Sequence, residues 1–233
     1  MPTNIAHFDL TGQRALVIGM ETAAGAAIAA AFREADATTV VAGTDQGDAA
    51  QAGTYVEHAR TELGGLDIVV SASDQFMAKP ITETTDAEVN QLAEENFLKP
   101  FRVARAAAPV LAQSEGGGRL IFVTHILGER GVAHTSAYGA MHAGVQSLVR
   151  SLAQELGPQG TVVNGISLGW MDWMQDRLDP DDDEAMRATR FPIMKRAGSA
   201  EEVGPMAVWL AGSGVGYVSG QVFAIDGGLL QHL

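Results

Sequence analysis

RALVIGMETAAGAAIAAAF, residues 14–32, decides the fold. The apolar run from Ala15 to Ile18 is short and closes on Gly19, which marks a strand buried on both faces. The small and apolar residues that follow, as far as Phe32, read as a helix. The same unit recurs down the chain. Further buried strands are expected at 38–43, 66–73, 119–125, 161–167 and 221–226. Helices are expected from about Asp48 to Leu63, from Asp86 to Gln113, from near Tyr138 to Leu156 and from Glu201 to Ala211. Between the last two lies an irregular stretch holding Trp170 and Trp173.

Near-continuous apolar strands alternating with helices require a parallel sheet covered on both faces. The expectation is therefore an α/β, doubly wound parallel sheet (Rossmann-type) in a single domain, 1–233. Ligands of such sheets bind at the carboxyl ends of the strands. His125 and the 167–173 segment fall there, and the Tyr138 helix is long enough to reach it.

Composition narrows the function. The chain has 233 residues, 46% of them hydrophobic, and a formal net charge of -13, so no basic cluster exists to meet nucleic acid or an anionic membrane. It has no cysteine, which excludes disulfides and thiolate chemistry and fits a reducing, cytoplasmic compartment. The beginning, MPTNIAHFDLTGQR, lacks an apolar signal core. The partner expected is a small molecule. DPDDDE, 179–184, reads as a solvated helix start.

The stretch with most chemistry is HTSAYGAMHAG, 134–144, where Tyr138 and His142 stand four residues apart on one helical face. A phenol has a reference pKa of about 10 and needs a neighbour to move protons near neutrality. Histidine supplies a cation only when protonated. A metal site from His125, His134 and His142 is a minor alternative, since no carboxylate is evidently placed with them; the expectation is no metal.

Over essentially the whole chain this layout resembles the short-chain dehydrogenase/reductase family. The landmarks are the glycine-bearing turn GMETAAG, Asn96, Tyr138, VNGISLG after the fifth strand and the terminal YVSGQVFAIDGG. The resemblance implies a nicotinamide cofactor and an Asn, Ser, Tyr, Lys tetrad. Asn96 and Tyr138 match it, while His125 stands for the serine and His142 for the lysine. Pro100, having no N–H, frees the carbonyl of Asn96, an acceptor of the kind the family uses to hold water. An incidental proline kink is the other reading.

The family's cofactor signals are altered. Gly19 and Gly25 remain in the first turn, with Ala23 in the middle position and Glu21 beside it. Gly43 stands where an acid would bond the adenosine ribose, with Asp45 out of register. The next helix, strand and helix are compressed into one helix, shortening the adenine side by roughly twenty residues. Ser71, Ala72, Ser73 and Asp74 replace Asn-Asn-Ala-Gly; Leu168-Gly169 replaces Pro-Gly; Trp173 replaces a threonine. A retained tyrosine beside an altered cofactor site is similar to halohydrin dehalogenases, though their serine and arginine are missing here.

The leading expectation is a non-redox enzyme without nicotinamide. In it Tyr138, His125, His142 and Asn96 perform acid–base work on a small hydroxylated, carbonyl, epoxide or haloalcohol compound, against a pocket wall of Trp170 and Trp173. The alternative is an NAD- or NADP-dependent oxidoreductase holding its cofactor at Gly19 and Gly25. A catalytically silent member kept for binding or assembly is the third reading. The family resemblance also implies a homotetramer.

Overall fold

The computed structural model describes residues 8–43, 51–177 and 192–231. Six strands form one parallel sheet: β1 (Arg14–Ile18), β2 (Thr38–Ala42), β3 (Ile68–Ser71), β4 (Arg119–His125), β5 (Val162–Leu168) and β6 (Val222–Ile225). Their order across the sheet is β2-β1-β3-β4-β5-β6. All the ladders are parallel, with Ile18 level with Ala42 and Ser71, and His125 level with Leu168. The expected doubly wound sheet is present. Only one helix lies between β2 and β3, and β3 pairs with β1, so the sheet ends on β2 among the described residues.

Alternation along each strand sorts side chains between two cores. Ala15, Val17, Ile68, Val70, Ile121 and Val123 face one side, under α1 (Ala23–Glu34) and α6 (Gly204–Ala211). Leu16, Ile18, Val69, Leu120 and Phe122 face the other. There they pack under α2 (Ala52–Leu63), α4 (Lys99–Leu111) and α5 (Ser136–Leu156). Full burial of a side chain such as Phe32 or Phe122 contributes about 3 kcal/mol.

The amino edge of the sheet is tied by Asp67, whose carboxylate accepts from Arg14 Nε at 2.8 Å, Arg14 Nη2 at 2.9 Å and Ser114 Oγ at 2.7 Å. Burial pushes this carboxyl up, but the Arg14 and Ser114 donors outweigh it and hold it below the usual carboxylate range. The pair lies at the end of the sheet opposite the ligand-binding edge, and its role is structural.

The helix expected from Asp86 to Gln113 is a composite. α3 (Asp86–Ala93) starts at Thr85, whose hydroxyl oxygen accepts from Glu88 N–H while the Glu88 carboxylate accepts from Thr85 N–H. A π-turn at Glu94–Leu98, in which Lys99 N–H reaches the carbonyl of Glu94, leads into α4. Pro100 falls in the first turn of α4, directly after the π-turn. The helix expected from Glu201 is a 3₁₀ turn, Ala200–Glu202, followed by α6. Asp45, Asp48 and the 179–184 acidic run lie outside the described residues. Among the described residues no helix is long and apolar enough to cross a membrane.

Candidate active site

The first strand and helix join through a turn that only glycines allow. Gly19 has φ +101°, a conformation L-residues rarely adopt, and a Cβ there would lie 2.6 Å from the backbone of Ala72. A Cβ on Gly25 would lie 2.1 Å from the carbonyl oxygen of Gly19. Thr22 caps α1: its Oγ1 accepts from Gly25 N–H at 2.9 Å and donates to Gly19 O at 2.8 Å. The first-turn N–H groups of Ala23 and Ala24 have no intrahelical acceptor and stand at the positive end of the helix.

A cavity of about 340 Å³ runs from this turn over the carboxyl ends of the strands. Glu21, Thr22, Ala23 and Ala24 line one end; Asp74, His125, Tyr138, His142 and Trp173 line the other. The size suits a small-molecule site.

Small residues bring α5 to that cavity. A Cβ on Gly139 would sit 2.6 Å from Leu127 O, and one on Gly128 2.7 Å from Ala143 N, so the helix lies directly on the turn after β4. Tyr138 and His142 are thereby buried beside His125, with ring centroids 4.3 Å apart for Tyr138–His142 and 5.5 Å for His125–Tyr138. The cluster expected from spacing is assembled. Its centre is a residue to which no role had been given. The Tyr138 hydroxyl donates to Asp74 Oδ1 at 2.6 Å, and His142 Nε2 lies 3.5 Å from the same oxygen.

Each histidine has a defined polar frame. His125 Nδ1 accepts from Leu127 N–H at 3.1 Å, so in the neutral ring the proton is on Nε2, a donor like the serine hydroxyl it replaces. His142 Nδ1 is 3.1 Å from Thr124 Oγ1, which is also 3.3 Å from the His142 carbonyl oxygen. The hydroxyl can donate to Nδ1 of a neutral ring, or turn to the carbonyl and accept from Nδ1–H of an imidazolium. In both of these states a hydrogen is on Nε2, toward the Asp74 carboxylate; in the other neutral tautomer Nδ1–H donates to Thr124 and Nε2 is bare.

Asn96 has, through its side chain, a part that the sequence did not show. It is buried in the π-turn, and its side chain is spent on the backbone next to Asp74: Gln75 N–H donates to Oδ1 and Nδ2 donates to Gln75 O, both at 2.8 Å. Asn96 thus positions the Asp74 segment and is not on the cavity wall. The aromatic wall is divided likewise. Trp173 lines the cavity with Met174, whereas Trp170 packs against the core under α1 and α6. His134 is exposed, at φ +66°, and does not join the other two histidines; among the described residues no group of metal-donor side chains is assembled.

A family model described as enoyl-(acyl carrier protein) reductase matches residues 6–230. The chain belongs to the short-chain dehydrogenase/reductase family. It is 26% identical, over 95% of its length and 98% of the relative's, to 3-oxoacyl-[acyl-carrier-protein] reductase from Vibrio harveyi. It is 28% identical to L-2,3-butanediol dehydrogenase of Corynebacterium glutamicum, over 85% of this chain and 81% of that one. A candidate NAD(P)-dependent gluconate 5-dehydrogenase from Beutenbergia cavernae, whose structure holds NADP at low occupancy, superposes with a TM-score of 0.87. That match has 25% identity and covers 96% of this chain and 99% of the other.

These relatives overturn the leading expectation from sequence, a non-redox enzyme working without nicotinamide, and with it the analogy to halohydrin dehalogenases. The physical reason lies in the first turn. Altered side chains had been counted as a lost cofactor site, but in folds of this kind a pyrophosphate is held chiefly by backbone N–H groups and a helix end. Those survive Ala23, which is simply the first residue of α1. A Cβ at that position leaves its own N–H in place.

Proposed function

We propose that this chain is a nicotinamide-dependent oxidoreductase interconverting a small carbonyl compound and its alcohol. The observation that carries the reading is the cavity joining the N-terminus of α1 to Tyr138, with the glycine turn closed around it. The relatives, a 3-oxoacyl reductase and a butanediol dehydrogenase among them, support the reaction class. The N–H groups of Ala23 and Ala24 would hold the pyrophosphate, and Gly19 and Gly25 keep the turn tight enough for that approach. When bound, the dinucleotide supplies or accepts the hydride.

The chain's own residues handle the oxygen. Tyr138 gives its hydroxyl proton to the carbonyl oxygen as that oxygen gains charge, and His125 Nε2–H is a second donor to the same atom. Trp173 and Met174 supply apolar lining to the cavity. Calorimetry with NAD, NADH, NADP and NADPH tests the reading. Binding of at least one at micromolar strength is expected; no binding by any of the four would remove it.

We also propose a homotetramer, supported by family membership and by the exposed Phe101 on α4, which pairs with Phe97 at a centroid distance of 6.5 Å. Light scattering at micromolar concentration should give four times the chain mass, and a monomer would refute the assembly.

A further inference from the structure

We propose that Asp74 is the proton partner of Tyr138, holding it as a phenol in the resting site. The role deepens the oxidoreductase reading and takes its substrate class from it. In the family pattern a glycine stands at this position and a lysine at that of His142, so the tyrosine faces a fixed cation. Here the nearest charged group is a carboxylate on the hydroxyl itself, at 2.6 Å. A carboxylate that accepts a phenol's hydrogen stabilises the protonated phenol and opposes phenolate. The titratable groups on the cavity wall are Glu21 from the turn after β1, Asp74 from the segment after β3, His125 at the end of β4, and Tyr138 and His142 on α5. Of these, Tyr138 and His142 converge on one atom, Asp74 Oδ1.

The arrangement is built to last through turnover. Asn96 fixes Gln75 with two hydrogen bonds, and the carboxylate is carried on the residue before it. His142 Nε2 is buried with no hydrogen bond inside 3.5 Å other than this approach to Asp74. In the reduction a hydride from a reduced nicotinamide dinucleotide forms the new C–H bond. The carbonyl π pair goes to oxygen, and that oxygen takes the proton of Tyr138. The phenolate left behind recovers a proton from His142 imidazolium by way of Asp74 Oδ1, and His142 is recharged from water. One hydride and one proton are consumed for each alcohol made.

The role can be read without substrate or cofactor. Tyr55, Tyr138 and Tyr217 are the chain's three tyrosines, so the tyrosinate absorbance of wild type minus that of Tyr138→Phe reports Tyr138 alone. In Asp74→Asn, and in Asp74→Gly, which restores the family residue, Tyr138 should ionise at least about one pH unit lower than in wild type. Asp74→Glu, keeping a carboxylate, should shift it much less. A midpoint that stays put or rises in both Asn and Gly variants, with circular dichroism intact, overturns the proposal; two variants guard against one that fails to fold. Failure of every dinucleotide to bind would instead remove the oxidoreductase reading and leave this titration to be judged by itself.

Discussion

Tyr138→Phe lowers turnover of a carbonyl substrate by about a hundredfold or more, the usual scale for losing a positioned acid. The substitution removes one oxygen, which lies 2.6 Å from Asp74 in a site where the ring itself is fully buried. The ring keeps its edge-on contacts with His125 and His142, so the fold and the dinucleotide dissociation constant should change little. Steady-state kinetics beside calorimetry separates the two. A Phe variant with undiminished kcat would mean that proton transfer runs through another group, with His125 the first to examine.

The largest structural effect is expected at Gly25. An alanine there would place Cβ 2.1 Å from the carbonyl oxygen of Gly19 and 3.0 Å from Thr22 Oγ1. Neither is a flexible chain end that can move aside, so the turn must open. Gly25→Ala should cost about 1–3 kcal/mol of stability, the range for overpacking a tight site. It should also weaken dinucleotide binding by at least about tenfold, because the Ala23 and Ala24 N–H groups move with the turn. Gly53→Ala is the control. That glycine lies in α2 with nothing within 4 Å of a new Cβ, and the change should be neutral or stabilising by about 0.5–1 kcal/mol. Urea denaturation and calorimetry on both variants decide it; equal behaviour would show that the turn tolerates a side chain and does not shape the site.

The sheet was legible because its strands are buried on both faces. Such strands announce themselves as uninterrupted apolar runs, and RALVI, RLIFVTH and VVNGISL each appear as strands within a residue or two of expectation. The ending was legible for a related reason. A Cβ on Gly169 would collide with Asp226 at 2.5 Å, Asn164 binds both Val218 O and Gln221 N, and Asp226 accepts from Gly228 and Leu230 N–H. A segment that constrained can be written in few ways.

Asp74 was not legible as a partner of Tyr138. The two are 64 residues apart, and only the packing of α5 on β4 and β5, next to β3 in the sheet, joins them. The available signal was an acid three residues beyond a buried parallel strand, at the ligand-binding edge. It was read as one more departure from a family motif, when its chemistry was that of an added group. The part played by the Asn96 side chain was hidden for a different reason: its amide holds Gln75 through a long-range contact that no local pattern encodes.

The π-turn at Glu94–Leu98 has a further consequence, in the phase of the helix. An α-helix advances about 100° per residue, so one extra residue in a turn rotates all that follows by roughly that angle. The faces before and after the turn are therefore out of phase. Leu92 in α3 and Val103, Ala104 and Ala107 in α4 are all buried. The phase change falls on the turn that carries Asn96. The rod thus holds two helices of different phase, and the amide that holds Gln75 sits at the joint between them.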